Sequence, residues 1–278
     1  LKKNYNIISL SSKKPDIKRK VNLIKYIKCD IYNKKLLYKK LKKLNPSFVI
    51  NLAGYIDHSN KTKTLNSNFN GCKNLVDYFN KKKIELFIQF GSSLEYGKQG
   101  SPHHENLKCK PRAIYGQSKL KSTNYILKTS KRNNFPFAIL RLYQIYGPNQ
   151  SLNRLIPIVI SSCLNNKRFN CSSGVQIRDF LYVDDLIDLI IMILKSKKKI
   201  NGIFNVGSKK PVKVKEVINS IRNKIKKGFP QYGKISMRDD ESPKYFPDVK
   251  KISKQFSWRP KTSLDKGLEK TINFYKSL

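Results

Sequence analysis

Apolar runs of strand length alternate with amphipathic helical segments over the first half of the chain. The runs read YNIISLS, NLIKYIKC, SFVINLAG, ELFIQFGSS and FAILRLYQIYG, and lysine-rich stretches with helical periodicity separate them. A run such as SFVINLAG is apolar on both faces, as a parallel strand buried between two helix layers requires. This alternation predicts βαβ units and an α/β fold built on a parallel sheet.

The rhythm changes in the second half of the chain. Helical patterns at RLIPIVISSCLNN, DDLIDLIIMILKS, VKEVINSIRNKI and LDKGLEKTINFYK surround two strand-like runs, VQIRDFLYV and GIFNVGS. We expect Pro211 at the N-terminus of a helix and Pro260 in the loop before one. The pattern therefore predicts a first domain over residues 1–148 and a smaller α/β lobe over 149–278, with residues 176–206 returning in part to the first sheet.

Composition narrows the class of protein. A chain of 278 residues is long enough to bury its cores without disulfide staples. The five cysteines form no C-x-x-C pair, which argues against a disulfide framework and structural zinc, so we expect no metal and reduced thiols in a cytoplasm. The most apolar stretch, LIDLIIMILK, is about half as long as a bilayer span and contains Asp188, so we interpret it as a buried helix and expect no membrane association.

The formal net charge of +40, from 58 Lys and Arg against 18 Asp and Glu, points first to nucleic acid or an anionic membrane. The lysines are dispersed along the whole chain, however, without an arginine-rich arm, a basic tail or the aromatic pattern of RNA-binding sheets. Arginine, the usual reader of bases and phosphates, is sparse. The net charge is therefore better explained by a lysine-rich composition than by a dedicated nucleic-acid surface. We expect nucleic acid to bind only non-specifically, through charge.

The spacing Tyr-x-x-x-Lys carries no information by itself in this chain. With 15 tyrosines and so many lysines, such pairs arise by chance. Tyr38 with Lys42 and Tyr78 with Lys82 are two examples, and we interpret both as solvated helix faces.

Tyr115 and Lys119 differ from these pairs in context. They lie one helical turn apart at the start of a predicted helix, and they follow Ser92, which ends an apolar strand where parallel sheets present their ligand sites. A phenol, with an unperturbed pKa of about 10, acts as a base at neutral pH only when a nearby cation favours the phenolate, and Lys119 supplies that charge. Ser92 can hydrogen-bond the same substrate oxygen. The three residues are therefore candidates for moving a proton on and off a hydroxyl while hydride leaves the carbon.

Short motifs run along nearly the entire chain in a fixed order: CDI, NLAG, GSSLEYG, PHHEN, YGQSK, RLYQIYGP, RDFLYVDD, FNVGS and WRPKTSLDKGLEKTI. In that order they resemble the extended short-chain dehydrogenase/reductases of the NAD-dependent epimerase/dehydratase family, which work on nucleotide sugars. One such motif would be weak evidence, whereas their collinearity is specific. The resemblance implies a Rossmann-type doubly wound parallel sheet with a smaller C-terminal lobe that binds the substrate.

The resemblance also implies roles for individual residues. Tyr115 would be the general base, Lys119 would hold the nicotinamide ribose and lower the tyrosine pKa, and Ser92 would bridge to the sugar hydroxyl. The other implied contacts are Asp30 and Ile31 with the adenine, Ala53 and Gly54 with the cofactor ribose, and Ser93, Gln144, Arg178 and Arg238 with the substrate, the two arginines clamping its diphosphate. Taken alone, Asp30 also fits a helix N-cap, and either arginine fits a surface residue.

Two departures from the family pattern concern the cofactor. The glycine-rich turn G-x-x-G-x-x-G, whose amides cradle the pyrophosphate, is absent, so we expect the sequence to be a fragment that lacks the first strand and this turn, roughly 20 residues. Such a fragment is expected to bind the cofactor poorly. The strand YNIISLSSKK ends in Ser11, Ser12 and Lys13 instead of a carboxylate for the adenosine 2′-hydroxyl. These three residues are expected to contact the cofactor and to favour NADP over NAD.

Two further departures concern the substrate. Leu94 stands where dehydratases of the family carry an acidic residue, and Glu95, one position later, would point to the opposite face of a strand, so 4,6-dehydration is disfavoured. Gln144 replaces the asparagine often found in RxxNxYGP, which leaves its sugar contact open.

The leading hypothesis is an NAD(P)-dependent nucleotide-sugar epimerase, acting most simply at C4 through a 4-keto intermediate whose hydride returns to the other face. The alternative within the family is a reductase that transfers hydride from NADPH to a 4-keto-6-deoxy nucleotide sugar, which Ser11 favours slightly. From another class, a catalytically inactive basic scaffold or nucleic-acid-associated protein is supported by the missing glycine turn and the net charge and opposed by the candidate catalytic residues Ser92, Tyr115 and Lys119. The resemblance also implies a homodimer built from the helix after NLAG and the helix that carries Tyr115.

Overall fold

A computed structural model of the chain describes residues 5–17, 20–56, 60–236 and 242–278. Within these ranges the strands are β1 (Ile8–Ser11), β2 (Lys25–Lys28), β3 (Phe48–Asn51), β4 (Leu86–Ser92), β5 (Phe137–Leu142), β6 (Gln144–Tyr146), β7 (Arg168–Asn170), β8 (Ile177–Tyr182), β9 (Asn201–Val206), β10 (Pro211–Lys213), β11 (Phe229–Gln231) and β12 (Lys244–Tyr245). The α-helices are α1 (Lys34–Leu41), α2 (Lys61–Leu65), α3 (Gly71–Phe79), α4 (Ile114–Asn133), α5 (Leu155–Leu164), α6 (Val183–Lys195), α7 (Val214–Ile225), α8 (Lys250–Phe256) and α9 (Leu264–Lys276). A π-helical segment, Asn66–Asn70, joins α2 to α3, and a 3-10 turn, Ser93–Glu95, follows β4.

The chain divides into two compact units. The first unit comprises Leu1–Gly97, Pro111–Leu140 and Lys197–Ile203, and the second comprises Lys98–Lys110, Arg141–Ser196 and Phe204–Leu278.

The first unit is built on parallel strands, as the alternating pattern predicts. β1 and β2 form a parallel pair with Ile8 opposite Lys25. A four-stranded sheet has the order β3-β4-β5-β9, with β3 and β4 parallel and Phe48 opposite Leu86. Among the described residues, no ladder joins the β1-β2 pair to this sheet. The predicted α/β fold with a parallel sheet is confirmed.

Helices α1, α3 and α4 cover the strands of the first unit with apolar side chains. Leu37 from α1, Val76 from α3 and Ile126 from α4 are each fully buried, and they belong to one core cluster with Phe87 of β4 and Ile139 of β5. β4 is buried at four consecutive positions, so both of its faces are covered. This is the burial that a run without polar alternation predicts. β4 is therefore a fixed base for the turn that follows it.

The second unit is organised around β8, which pairs in parallel with β6 and β12 and antiparallel with β10. Helices α5, α7 and α9 pack together over a core that includes Ile160, Ile218 and Leu268. The prediction of Pro211 at a helix N-terminus is wrong, because Pro211 begins β10 and α7 starts at Val214. A first strand residue tolerates proline because it can lack a ladder hydrogen bond.

Helix α6 corresponds to the most apolar stretch of the sequence. It buries Leu186, Leu189 and Ile193 and leaves Ile187 and Met192 exposed, so it is a half-buried helix rather than a fully buried one. Over the described ranges, every helix is too short or too polar to cross a membrane.

Candidate active site

The carboxyl end of β4 runs directly into a tight turn that fixes Ser92. The Ser92 Oγ accepts a hydrogen bond from the Leu94 backbone N–H at 3.2 Å, and the Glu95 Oε1 accepts one from the Ser92 N–H at 2.9 Å. This reciprocal capping box closes the 3-10 turn. The prediction that Glu95 continues a strand is therefore wrong, because the box draws its carboxylate into the interior, where the residue is 0% exposed.

Helix α4 begins against this turn and carries Tyr115 and Lys119 on one side. The Lys119 Nζ lies 5.8 Å from the centre of the Tyr115 ring. Gly116 makes the close approach possible, since a Cβ at this position would overlap the Leu94 carbonyl oxygen and lie 2.9 Å from the Pro111 Cβ. The missing side chain at Gly116 thus sets how near the first turn of α4 comes to the turn that carries Ser92.

Lys119 is a buried ammonium, with only 4% of its surface exposed. Its Nζ donates a hydrogen bond to the Phe90 carbonyl oxygen on β4 at 2.9 Å. Burial lowers the pKa of Lys119, because the charged form loses hydration, and the neighbouring Glu95 and Cys72 oppose this effect. The structure therefore places a cation of reduced basicity beside the Tyr115 ring. Its hydrogen-bond partner, Phe90, lies two residues before Ser92 on β4.

The two chance pairs show what separates Lys119 from other lysines. The Lys82 Nζ lies 5.9 Å from the Tyr78 ring centre, nearly the same distance, but Lys82 and Lys42 are exposed. The rings of Tyr38 and Tyr78 are half-buried and contact each other at 5.0 Å, so only the lysines of these pairs are solvated. Burial of the ammonium, rather than the spacing, marks the candidate site.

Asn68 is a further residue of the candidate site, and the sequence patterns did not reveal it. It is 1% exposed and lies in the π-helical segment, where its Nδ2 donates to the Ser118 Oγ at 3.1 Å and its Oδ1 accepts from the Tyr55 N–H at 2.9 Å. Asn68 thus ties the loop after β3 to α4. Single π turns often mark functional sites, but their position depends on backbone geometry that no side-chain pattern encodes.

The loop after β3 brings Ala53 and Gly54 toward this cluster. The Ala53 N–H donates to the Asn51 Oδ1 at 3.1 Å, and Ala53 is half-buried. Gly54 is exposed, and a Cβ there would lie 2.9 Å from the Asn68 Oδ1 and 3.4 Å from the Lys119 Nζ. The backbone at Gly54 is therefore open to close approach beside the buried ammonium.

The other predicted cofactor residues follow β1 and β2. Ser11, Ser12 and Lys13 are exposed at the end of β1, and the Ser11 carbonyl accepts from the Cys29 N–H at 2.8 Å, next to Asp30. The ends of these two strands therefore hold the predicted residues close together.

Asp30 and Ile31 have separate roles in the turn after β2. The Asp30 Oδ1 accepts from the Tyr32 N–H at 3.0 Å, whereas Asn33 caps α1, so Asp30 is not a helix N-cap. Ile31 is a core residue, 8% exposed, whose carbonyl accepts from the Asn74 side chain at 3.0 Å.

The predicted substrate residues fall in both units. Ser93 is buried in the 3-10 turn of the first unit. In the second unit, Gln144 is exposed on β6 and pairs with Phe180 of β8, two residues along from Arg178. Arg238 lies outside the described residues.

Arg178 is buried rather than a surface residue. It is 7% exposed, and its Nη1 donates to the Ile177 carbonyl at 2.8 Å and to the Pro243 carbonyl at 3.4 Å. The guanidinium lies 5.9 Å from the Tyr245 ring centre. Among the residues that the structure describes, no cluster of His, Cys, Asp or Glu is arranged to hold a metal ion.

Comparison with known proteins identifies the family to which the chain belongs. A family model described as "NAD dependent epimerase/dehydratase family" matches residues 1–207. The chain belongs to this family. It is 28% identical over 290 residues to a putative UDP-glucose 4-epimerase of Methanocaldococcus jannaschii, covering 100% of this chain and 92% of that protein.

Two solved structures share the fold. The UDP-glucose 4-epimerase of Thermotoga maritima, solved with UDP-glucose, superposes with a TM-score of 0.92 at 19% identity, covering 99% of this chain and 92% of that one. The UDP-glucuronic acid 4-epimerase of Bacillus cereus, solved with UDP-glucuronic acid and NAD, gives 0.85 at 25% identity, covering 92% and 83%. The predicted Rossmann-type fold is confirmed.

The described residues fit the dinucleotide for which the family is named. Predicted cofactor residues follow the carboxyl ends of β1 and β2, which form one parallel pair, and of β3 in the four-stranded sheet. Doubly wound sheets bind nucleotides at the carboxyl ends of their strands. After β3, a Cβ at Gly54 would lie 3.4 Å from the Lys119 Nζ, so the glycine leaves space beside the ammonium.

Replacing Gly116 with alanine is expected to destabilise the first unit. Overpacking against the Leu94 carbonyl costs about 1–3 kcal/mol, which exceeds the gain in helix propensity of up to about 1 kcal/mol. Denaturant titration measures the free energy of unfolding. Gly100→Ala is the matched control, because a Cβ at Gly100 meets nothing within 4 Å. Equal stability of Gly116→Ala and the wild type would contradict the close approach.

Proposed function

We propose that the protein is an NAD(P)-dependent nucleotide-sugar epimerase that inverts C4 through a 4-keto intermediate. The observation that carries this proposal is the buried Lys119 ammonium, 4% exposed and 5.8 Å from the Tyr115 ring, hydrogen-bonded to the strand that ends at Ser92. Such an arrangement favours a phenolate, which is the base that oxidation of a sugar hydroxyl requires.

Each of the three residues has a separate task in this proposal. The Tyr115 oxygen takes the proton of the C4 hydroxyl and later returns it. Lys119 stabilises the phenolate and binds the ribose of the cofactor, while the Ser92 hydroxyl, held by the capping box, hydrogen-bonds the same substrate oxygen. A bound nicotinamide would supply the hydride acceptor and donor for the sugar carbon. The remaining cofactor contacts are proposed at Ser11, Ser12, Lys13, Asp30, Ile31, Ala53 and Gly54.

The substrate is proposed to be a nucleotide diphosphate sugar, with a UDP-sugar as the first candidate from the two solved epimerases. Arg178 suits the diphosphate, because its guanidinium is buried and held by two backbone carbonyls, so little side-chain freedom is lost on binding. Ser93, Gln144 and Arg238 are proposed to complete the substrate contacts.

A reductase of a 4-keto-6-deoxy nucleotide sugar is the second candidate, favoured by the absence of a carboxylate at the exposed end of β1. Dehydration is less well supported. Leu94 is 40% exposed at the position of the acidic residue in dehydratases, and an apolar side chain moves no proton. A scaffold without catalysis gives no reason to bury an ammonium beside a phenol.

The epimerase proposal predicts interconversion of C4 epimers without net consumption of NADPH. We expect the native protein to convert UDP-glucose or UDP-glucuronic acid to its C4 epimer, measured by chromatography with nicotinamide absorbance followed in parallel. Tyr115→Phe removes the acid–base group and is expected to lower kcat by about 10²–10⁴-fold.

Tyr78→Phe is the matched control for this measurement. Tyr78 has its own lysine at nearly the same distance, but that lysine is exposed, so the rate is expected to stay unchanged. Stoichiometric oxidation of NADPH with a 4-keto sugar would support the reductase instead. Full activity of Tyr115→Phe would contradict both candidates.

The end of β1 predicts tighter binding of NADP than of NAD. Ser11, Ser12 and Lys13 offer hydroxyls and a cation to a 2′-phosphate, and all three are exposed. Calorimetric Kd values on the native protein test this preference. Ser11→Asp is expected to raise the Kd for NADP by about 10-fold, because the new carboxylate repels the 2′-phosphate. Asn6→Asp adds the same charge before the strand and should leave both Kd values unchanged. Tighter NAD binding by the wild type would overturn the preference.

A homodimer is proposed through the helix after NLAG, which is α2 with its continuation into α3, and through α4, which carries Tyr115. Leu127 on α4 is an exposed apolar side chain. Light scattering is expected to give twice the 32.3 kDa mass of the chain. A monomer at micromolar concentration would contradict the proposal.

A cytoplasmic location is proposed from the chemistry of the cysteines. All five are free, and four are buried. Burial raises the pKa of Cys72 to about 12 and that of Cys163 to about 11, which keeps these thiols protonated and unreactive. Unpaired thiols are typical of reducing compartments, and cell fractionation tests the assignment.

A further inference from the structure

Glu95 connects the candidate catalytic serine to the candidate catalytic helix. Its two carboxylate oxygens have different partners: Oε1 accepts from the Ser92 N–H at 2.9 Å, and Oε2 accepts from the Thr123 Oγ1 hydroxyl at 2.8 Å. Glu95 is 0% exposed and Thr123 is 1% exposed. A single buried carboxylate therefore joins the backbone of the 3-10 turn to α4.

Thr123 belongs to the same face of α4 as the proposed catalytic pair. Tyr115, Lys119 and Thr123 follow one another at intervals of four residues, so they line one side of the helix. The hydrogen bond from Thr123 fixes Glu95 one turn beyond Lys119. Glu95 therefore sets the distance between Ser92 and this row of side chains.

Glu95 also acts on the charge of the site. Among the described residues, the titratable groups that act on or face Lys119 include Glu95, from the 3-10 turn, Cys72, from α3, and Tyr115 on its own helix. Burial raises the pKa of Cys72 to about 12, so its thiol is neutral near pH 7. The carboxylate of Glu95 is then the negative charge that offsets the cost of burying the Lys119 ammonium.

We propose that Glu95 is a positioning residue of the active site: its carboxylate holds the Ser92 backbone against α4 and is the counter-charge of the buried Lys119. The role in catalysis rests on the proposed function, whereas the effect on the charges of Tyr115 and Lys119 does not. A merely structural cap would lower stability without moving the pH at which Tyr115 ionises.

The deciding variant is Glu95→Gln, which keeps the length of the side chain and an acceptor for the Ser92 N–H but removes the charge. The charge of Glu95 favours the ammonium form of Lys119, so its removal lowers the pKa of Lys119. Because the Lys119 Nζ lies 5.8 Å from the Tyr115 ring centre, we expect the pH at which Tyr115 ionises to differ between Glu95→Gln and the wild type, and the pH profile of kcat to move in the same direction.

Tyr115 is followed without substrate by phenolate absorbance. Subtracting the titration of Tyr115→Phe from that of the wild type isolates one phenol among the 15 tyrosines, and the same subtraction is made in the Glu95→Gln background. Glu85→Gln is the matched control. It makes the same chemical change at an exposed residue just before β4. An unchanged midpoint in Glu95→Gln would overturn the proposal.

Thr123→Val provides a second test that does not alter the carboxylate and applies even if Glu95→Gln fails to fold. It removes the donor that fixes Oε2, so kcat is expected to fall several-fold at unchanged KM, and equal kcat would contradict the positioning role. The two proposals fail separately. A shifted Tyr115 midpoint in a protein without epimerase activity removes the function but keeps the charge coupling, whereas an active enzyme with an unshifted midpoint removes the role of Glu95.

Discussion

The arrangement of the first unit depends on one buried positive charge. Burying an ammonium costs several kcal/mol of free energy unless hydrogen bonds and an opposite charge replace its hydration. Lys119 receives that replacement from the Phe90 carbonyl on β4 and from the charge of Glu95. Both partners lie within five residues of Ser92, so whatever holds the ammonium also holds the end of β4 against α4. The burial of Lys119 thereby fixes the helix, the turn and the serine together.

Burial also explains why one tyrosine–lysine pair is chemically distinct. Tyr78 and Lys82 match Tyr115 and Lys119 in sequence spacing and in distance, at 5.9 Å and 5.8 Å. Water screens the exposed Lys82, so its influence on the neighbouring phenol is weak. Around Lys119 the effective dielectric is low, and the same separation gives a stronger interaction. A lysine-rich surface therefore produces many similar pairs without producing a second site.

The sequence predicts elements well where one physical signal dominates. Continuous apolar runs located β4, β5 and β9, and the collinear motifs led to Ser92, Tyr115 and Lys119 before any geometry was known. Where two local structures share one pattern, prediction fails. Glu95 follows β4, and its position fits the alternation of side chains along a strand. The Ser92 hydroxyl, however, accepts a hydrogen bond from the Leu94 N–H, and the chain forms a 3-10 turn there instead. Pro211 likewise suits either a helix start or the first residue of an edge strand.

Asn68 marks a different limit, because it lies in a π segment and its hydrogen bonds reach both α4 and the loop after β3. No residue in NSNFN signals a wider helical turn, and the hydrogen bonds to Ser118 and Tyr55 connect positions far apart in the sequence. A local sequence pattern does not encode contacts of this kind between separate elements.

The net charge of +40 bears on selectivity rather than on the site itself. Three of the scarce acidic residues are buried and accept hydrogen bonds from backbone N–H groups. Glu95 accepts from Ser92, Asp179 accepts from Ser208, and Asp185 accepts from two residues of the loop before α9. The surface is left dominated by lysine, which attracts any polyanion and discriminates among none. In the proposed function, selection of a nucleotide diphosphate therefore falls to donors that are desolvated and fixed. Arg178 meets that condition, because it is buried and restrained by backbone carbonyls, whereas an exposed lysine adds attraction without geometry.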